Sequence, residues 1–174
     1  TASAGNAQVI PPAGSSPIGL PLGLGPEDVK MLFAMYRTLV LLSKSGDVYV
    51  LGYLSGSLDG NGMAPGTTGM NTWQRVKINA TTYLTGVKAV RGQVSNTTFS
   101  ALVAETNDGK IYTWGSSTYL GDGSGVAFRS YATEMTLPDD VKLKGIRMIG
   151  VTGGITGGGT TNTYYVLSNS GNLY

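Results

Sequence analysis

The chain contains no cysteine and no histidine among its 174 residues. Without cysteine there are no disulfides, no thiolate nucleophile and no cysteine-based zinc site. Without histidine the commonest general base and the commonest transition-metal ligand are missing. Charge is also scarce, at 13% with a net value of +2, and glutamate occurs only at 27, 105 and 134. A nucleic-acid partner would call for a clustered basic face, which this balance does not supply. Lys142, Lys144 and Arg147 form the densest basic group and read as a solvated strand edge, where charge discourages unwanted pairing. The longest apolar run, Met31 to Leu42, includes Arg37 and is too short to span a bilayer, so no membrane span is expected.

What is abundant is glycine, at 27 residues, with frequent Thr, Ser and Asn, and a hydrophobic content of 41%. That combination describes a turn-rich β protein able to bury a core. The low-charge, cysteine-free surface also matches the composition of bacterial secreted and cell-surface proteins, so an extracellular or cell-surface location is expected.

Two segments organise the chain. Residues 1–26 carry Pro11-Pro12, Pro17, Pro21 and Pro26 among Gly and Ser. Proline lacks an N–H and restrains its predecessor, so an irregular Pro/Gly-rich linker is expected there. Residues 27–174 repeat. Gly46-Asp47-Val48-Tyr49-Val50-Leu51-Gly52, Gly109-Lys110-Ile111-Tyr112-Thr113-Trp114-Gly115 and Gly171-Asn172-Leu173-Tyr174 are copies, with glycines 63 and 62 residues apart. A fixed period of this kind is the mark of a repeat architecture. Each glycine closes a short turn between two β-rich runs, as hairpins require. Alternation puts Ile111 and Thr113 on one strand face and Tyr112 and Trp114 on the other, with Trp114 expected in the core. Upstream, Asp28-Val29-Lys30, Gly86-Val87-Lys88 and Asp140-Val141-Lys142 read as corresponding triplets. Glu27 to Met35 lacks a helical period and reads as strand or turn. Asp139-Asp140 reads as a loop turn, and the glycine-rich run Gly150 to Gly159 as a flexible surface insertion.

The segment Asp108-Gly109-Lys110-Ile111-Tyr112-Thr113-Trp114-Gly115, followed by Leu120-Gly121-Asp122-Gly123, resembles the RCC1 repeat, the blade unit of seven-bladed β-propellers. Gly46 to Gly52 with Leu58-Asp59-Gly60 is a weaker copy, with Leu51 where Trp114 stands. The histidine usual in the family's blades is absent. The resemblance implies an all-β fold: a partial RCC1-like propeller of antiparallel blades, about two and a half repeats over residues 27–174. It implies that the chain is a portion of a longer protein, with remaining blades or neighbouring chains as partners. It also brings a regulatory alternative, since the best-known relative is a guanine-nucleotide exchange factor for a small GTPase.

Few residues nominate chemistry. Asp59-Gly60-Asn61-Gly62 and Asp122-Gly123-Ser124 carry oxygen ligands in glycine-rich loops, as calcium sites do, but offer too few carboxylates. They read as Asx turns, in which the side chain caps its own backbone. No catalytic group, cofactor or metal is expected. Trp73, Tyr119, Asp59, Asn61 and Asp122 stand as candidate contact residues. The contact regions would be Ser55 to Thr72, Ser116 to Arg129 and Thr152 to Thr163. Asn79-Ala80-Thr81 and Asn96-Thr97-Thr98 fit the N-glycosylation pattern. The expected function is a non-catalytic protein-interaction or adhesion scaffold that binds a protein or a surface glycan.

Overall fold

A computed structural model describes residues 18–35, 38–53, 58–62, 69–94, 100–116, 128–156 and 159–174. A short 3-10 turn, Pro26–Asp28, leads into four strands: β1 (Val29–Met35), β2 (Thr38–Ser43), β3 (Val48–Tyr53) and β4 (Gly69–Arg75). A second set follows: β5 (Val87–Val94), β6 (Ser100–Thr106), β7 (Ile111–Ser116) and β8 (Phe128–Glu134). A short helix, α1 (Asp139–Lys144), precedes β9 (Ile146–Thr156) and β10 (Gly159–Ser168). The strands form two four-stranded antiparallel sheets, each in chain order, and an antiparallel β9–β10 pair. These are the three repeats, and the all-β expectation holds.

The turn between the second and third strands is built identically each time. Gly46, Gly109 and Gly171 have φ of 88°, 82° and 93°. This left-handed conformation ends a three-residue hairpin loop without the cost a Cβ would add. The amide of each glycine donates to the carbonyl three residues earlier, on Ser43, Thr106 and Ser168, at 3.0 to 3.1 Å. The hydroxyls of the same three residues, all buried, accept the amides of Asp47, Lys110 and Asn172 at 2.9, 3.1 and 3.2 Å. A buried hydroxyl without a partner is costly, so placing one here satisfies both groups at once.

The start of each repeat is fixed by a second bond shared by all three. The amides of Lys44, Asn107 and Asn169 donate to the carbonyls of Asp28, Gly86 and Gly145. The residue equivalent to Val29 and Val87 is therefore Ile146, which corrects the triplet expected at Asp140-Val141-Lys142. Those residues instead form α1. Pro138 precedes it, Asp139 and Asp140 occupy its first turn, Lys142 and Lys144 its last, and Gly145 (φ 82°) ends it. Acids at the start and bases at the end complement the helix dipole, so Asp139-Asp140 is not a loop turn and the two lysines are not on a strand edge. The run from Gly150 to Gly159 is corrected in the same way. Gly153 pairs with Asn162 and Gly154 with Thr161 inside the β9–β10 ladder. Backbone pairing needs no side chain, and Ile149, Val151 and Ile155 supply β-branched residues around the glycines.

Two cores fill the seams between repeats. Val40, Leu42, Val48 and Val50 of the first sheet meet Val90, Leu102, Tyr112 and Trp114 of the second. Val103 and Ile111 of the second meet Ile146, Ile149 and Val166 of the third, with Leu137 and Val141 from the connection. Each sheet thus has a front face of aliphatic residues and a rear face that, in the second repeat, carries the aromatics.

Candidate functional site

The loop 58–62 of the first repeat crosses to the second. Trp114, fully buried, donates its indole N–H to the carbonyl of Leu58 at 2.9 Å. A Cβ on Gly60 would come within 2.8 Å of Val76 and 3.2 Å of the Trp114 ring, so only glycine fits beneath the indole. The Lys77 amide donates to the Gly60 carbonyl at 2.9 Å, and the Gly62 amide to the Ser130 carbonyl at 2.8 Å. Asn61 forms a β-bridge with Tyr131 of β8, and its amide nitrogen donates to Gln74 Oε1 at 2.9 Å. This loop is a clasp across the seam.

Asp59 sits within the clasp at 1% exposure. Burial pushes its carboxyl above the usual range, opposed in part by the backbone amides of Asn61, Asp59 and Gly60. Those amides face the carboxylate without reaching hydrogen-bond geometry: neither Oδ1 nor Oδ2 of Asp59 has a partner, nor does Oδ1 of Asn61. The amides of residues 59–61 are thus turned toward the carboxylate as in an Asx turn, without a hydrogen bond of full geometry. Trp73 lies on β4 and donates its indole N–H to the Gly19 carbonyl at 2.7 Å. Alternation along β4 puts Trp73 on the face opposite Gln74, away from the clasp. The structure brings Asp59 and Asn61 together and does not bring Trp73 to them. Tyr119 and Asp122 lie outside the described residues, as do Asn96, most of Ser116 to Arg129, and residues 54–57 and 63–68 of the first contact region. Asn79 is exposed, and its Oδ1 accepts the amides of Thr81 and Thr82 at 3.0 and 2.9 Å, closing an Asx turn.

Three further features were not visible in the sequence. A cleft of about 560 Å³ opens between the β6–β7 turn and α1, lined by Asp108, Lys110, Glu134, Leu137, Val141 and Lys142 among others. Both of its lysines are ion-paired, Lys110 to Glu134 of the cleft wall at 3.2 Å and Lys142 to Asp139 beside it at 3.1 Å. The Glu134 carboxylate, as hydrogen-bond acceptor, raises the Lys110 ammonium pKa. Beside it, Asp140 accepts from the hydroxyls of Ser170 and Tyr174 and from the Asn172 amide at 2.7, 3.2 and 3.2 Å. These donors, Ser170 first, lower its pKa to about 2 and tie α1 to the third hairpin. Lastly, the front face of the third repeat leaves Met148, Tyr165 and Leu173 at 61%, 39% and 66% exposure. Among the described residues no group of three or more acidic residues is placed to hold a metal, and no helix is long and apolar enough to cross a membrane.

No family model matches the sequence, and no curated protein does. Solved structures do match. Human WBSCR16 superposes with a TM-score of 0.55 at 18% identity, over 83% of this chain and 32% of its own length. Yeast RCC1 (Prp20), crystallised with Kap60 bound, gives 0.56 and 18%, over 88% and 30%. Prp20p from Saccharomyces cerevisiae, in a structure reported with its binding properties to Gsp1p and histones, gives 0.55 and 17%, over 88% and 32%. The chain spans about a third of the length of these structures. Repeated four-stranded antiparallel sheets, stacked front to rear and superposing on these proteins, make the fold that of a partial RCC1-like β-propeller.

Proposed function

We propose that the chain is a non-catalytic binding scaffold, one sector of an RCC1-like propeller in a bacterial secreted or cell-surface protein. The repeat motifs are consumed by stacking: Trp114, Leu58 and Gly60 all serve a seam. Contact with a protein or glycan partner then falls to loops and uncovered faces, where function on a shared scaffold resides. The observation that carries the reading is the front face of the third repeat. Val40 and Val48, and again Val103 and Ile111, are at most 1% exposed at the positions where Tyr165 and Leu173 stand open. A face of that composition is made to receive the rear face of a further repeat, in the same protein or a neighbour. The cell-surface placement rests on composition alone. It is tested by treating intact source cells with protease: cleavage is expected, and complete protection in the cytosolic fraction contradicts it.

A second reading, regulation of a small GTPase, is favoured by the superposition on Prp20p, whose structure was reported with its binding to Gsp1p. An exchange assay with GTPases carrying a fluorescent nucleotide separates the two. The scaffold reading expects no acceleration of nucleotide release, and acceleration would replace it with the regulatory one.

A further inference from the structure

Among the described residues no repeat precedes the first, yet part of its rear face is buried. In the later repeats the rear-face pairs are Val90 with Ala104 and Ile149 with Val166. Both pairs lie under the front face of the repeat before and are at most 7% exposed. The matching pair in the first repeat is Leu32 with Leu41. Leu32 stands at 53% exposure, but Leu41 is at 0% and Leu51, the counterpart of Trp114, at 4%. Residues 18–25 reach this face. Trp73, on the rear side of β4 by alternation, donates its indole N–H to the Gly19 carbonyl. Pro21 is buried, and Leu20 and Leu24 are half-buried. The Leu24 amide donates to the Pro21 carbonyl at 3.0 Å with Gly23 at φ 85°, a type II turn that folds the segment back on itself. The Gly25 amide donates to Asp28 Oδ2 at 2.9 Å, which fixes the exit toward β1.

We propose that the rear face of the first repeat is a docking surface for the open front face of the third repeat in a second copy of this chain, and that residues 18–25 cap it in place of that partner. Both halves of the contact exist in the molecule. Each covered seam joins a front face to a rear face, and Met148, Tyr165 and Leu173 form a front face left uncovered among the described residues. The contact is heterologous, so copies would add head to tail into a ring or a filament. The cap opposes this by lying over Leu41, Leu51 and Trp73 within the same chain. It is a short segment set against a face that elsewhere receives a whole sheet, and it leaves Leu32 open, so a competing front face has a foothold. The cap stands on its own contacts, whereas the choice of partner rests on the front-face reading given above.

The test uses the full chain. Pro21→Asp puts a charge into the buried contact and should release the segment, read as faster hydrogen exchange of the residue 18–25 amides. Sedimentation velocity over a concentration series then follows self-association. A cap in place nine-tenths of the time or more weakens that association by about tenfold or more, so the released variant should associate more tightly by that factor. Adding Leu173→Asp should abolish the association while exchange in the segment stays fast. Should Pro21→Asp fail to fold, Trp73→Phe, which removes the bond to Gly19 and keeps a ring, decides in its place. Faster exchange without tighter association overturns the rear face as a docking surface and leaves the front-face reading standing. Association that survives Leu173→Asp is not front-to-rear, and overturns the proposal together with that reading. Exchange unchanged in the folded variants means that residues 18–25 are not held as a cap, and overturns it as well.

Discussion

The seam between the first two repeats and the front face of the third present the same positions in opposite states. Val40 and Val48 are fully buried, whereas their counterparts Tyr165 and Leu173 stand at 39% and 66% exposure. The residue types are all apolar. What differs is the presence of a rear face: the first sheet has Leu102, Tyr112 and Trp114 packed against it. Burial here is set by stacking between repeats rather than within one, as expected for units that contact only their neighbours. The second covered seam teaches a complementary point. It keeps the front-to-rear packing of Val103 and Ile111 against Ile149 and Val166 but adds Val141 of α1. Hairpin hydrogen bonding recurs without change while the filling of each seam varies.

The largest expected effect comes from placing the same charge at covered and open positions. Val40→Asp buries an unpaired carboxylate and should cost about 4 kcal/mol or more. Leu173→Asp should change stability by less than about 0.5 kcal/mol. Urea denaturation followed by Trp fluorescence reads both, and equal losses would end the distinction. Trp114→Ala comes next, at about 3–5 kcal/mol for an emptied core site, while Trp73→Ala, on a half-exposed side chain, should cost far less.

The turn glycines sharpen the comparison at a smaller scale. A Cβ at Gly46 would come within 2.8 Å of the Val87 amide nitrogen, whose N–H donates to the Gly46 carbonyl across the seam, whereas nothing lies within 4 Å of one at Gly109. Gly109→Ala should cost only the left-handed conformation, about 1–2 kcal/mol. Gly46→Ala should cost more, because backbone must move as well. Measured Tm values in the reverse order would show that the two turns do not differ as described.

The smallest effect is electrostatic. Asp140 is held at about 2, below its ordinary value of 3.8, by the donors that tie α1 to the third hairpin. A depressed acid contributes stability that is present above the unfolded value and lost as pH falls through the folded one. Stability should therefore decline between about pH 4 and pH 2, with the Asp140→Asn variant showing a flatter profile over that window. Identical profiles would remove Asp140 from the account.

The parts of this molecule legible in the sequence are those whose causes are local. A glycine turn followed by alternating Ile111, Tyr112, Thr113 and Trp114 reveals both the hairpin and which side chain enters the core. The buried hydroxyls at 43, 106 and 168 were legible in principle, each lying three residues before its turn glycine. Other features depended on distant partners. Asp59 and Asn61 look like turn residues until Trp114 and Tyr131 arrive from the next repeat. Val141 mimics the strand-initiating valines because a Val-Lys pair does not reveal that Pro138 and Gly145 bound a helix. The glycines at 153 and 154 resemble a loose insertion because ladder hydrogen bonds leave no mark on side-chain chemistry.

The account rests on the clasp between the first two repeats, and the absence of cysteine makes it directly testable. Asn61 and Tyr131 are bridge partners in antiparallel register, which places their Cα atoms about 4.5–5.5 Å apart, within the span of a disulfide. In the double variant Asn61→Cys/Tyr131→Cys, mild oxidation should form an intramolecular disulfide, seen as a loss of two free thiols in the monomer. Two thiols remaining free in the folded, oxidised monomer would mean that the loop does not cross the seam, and the front-to-rear stacking described for this chain would be contradicted.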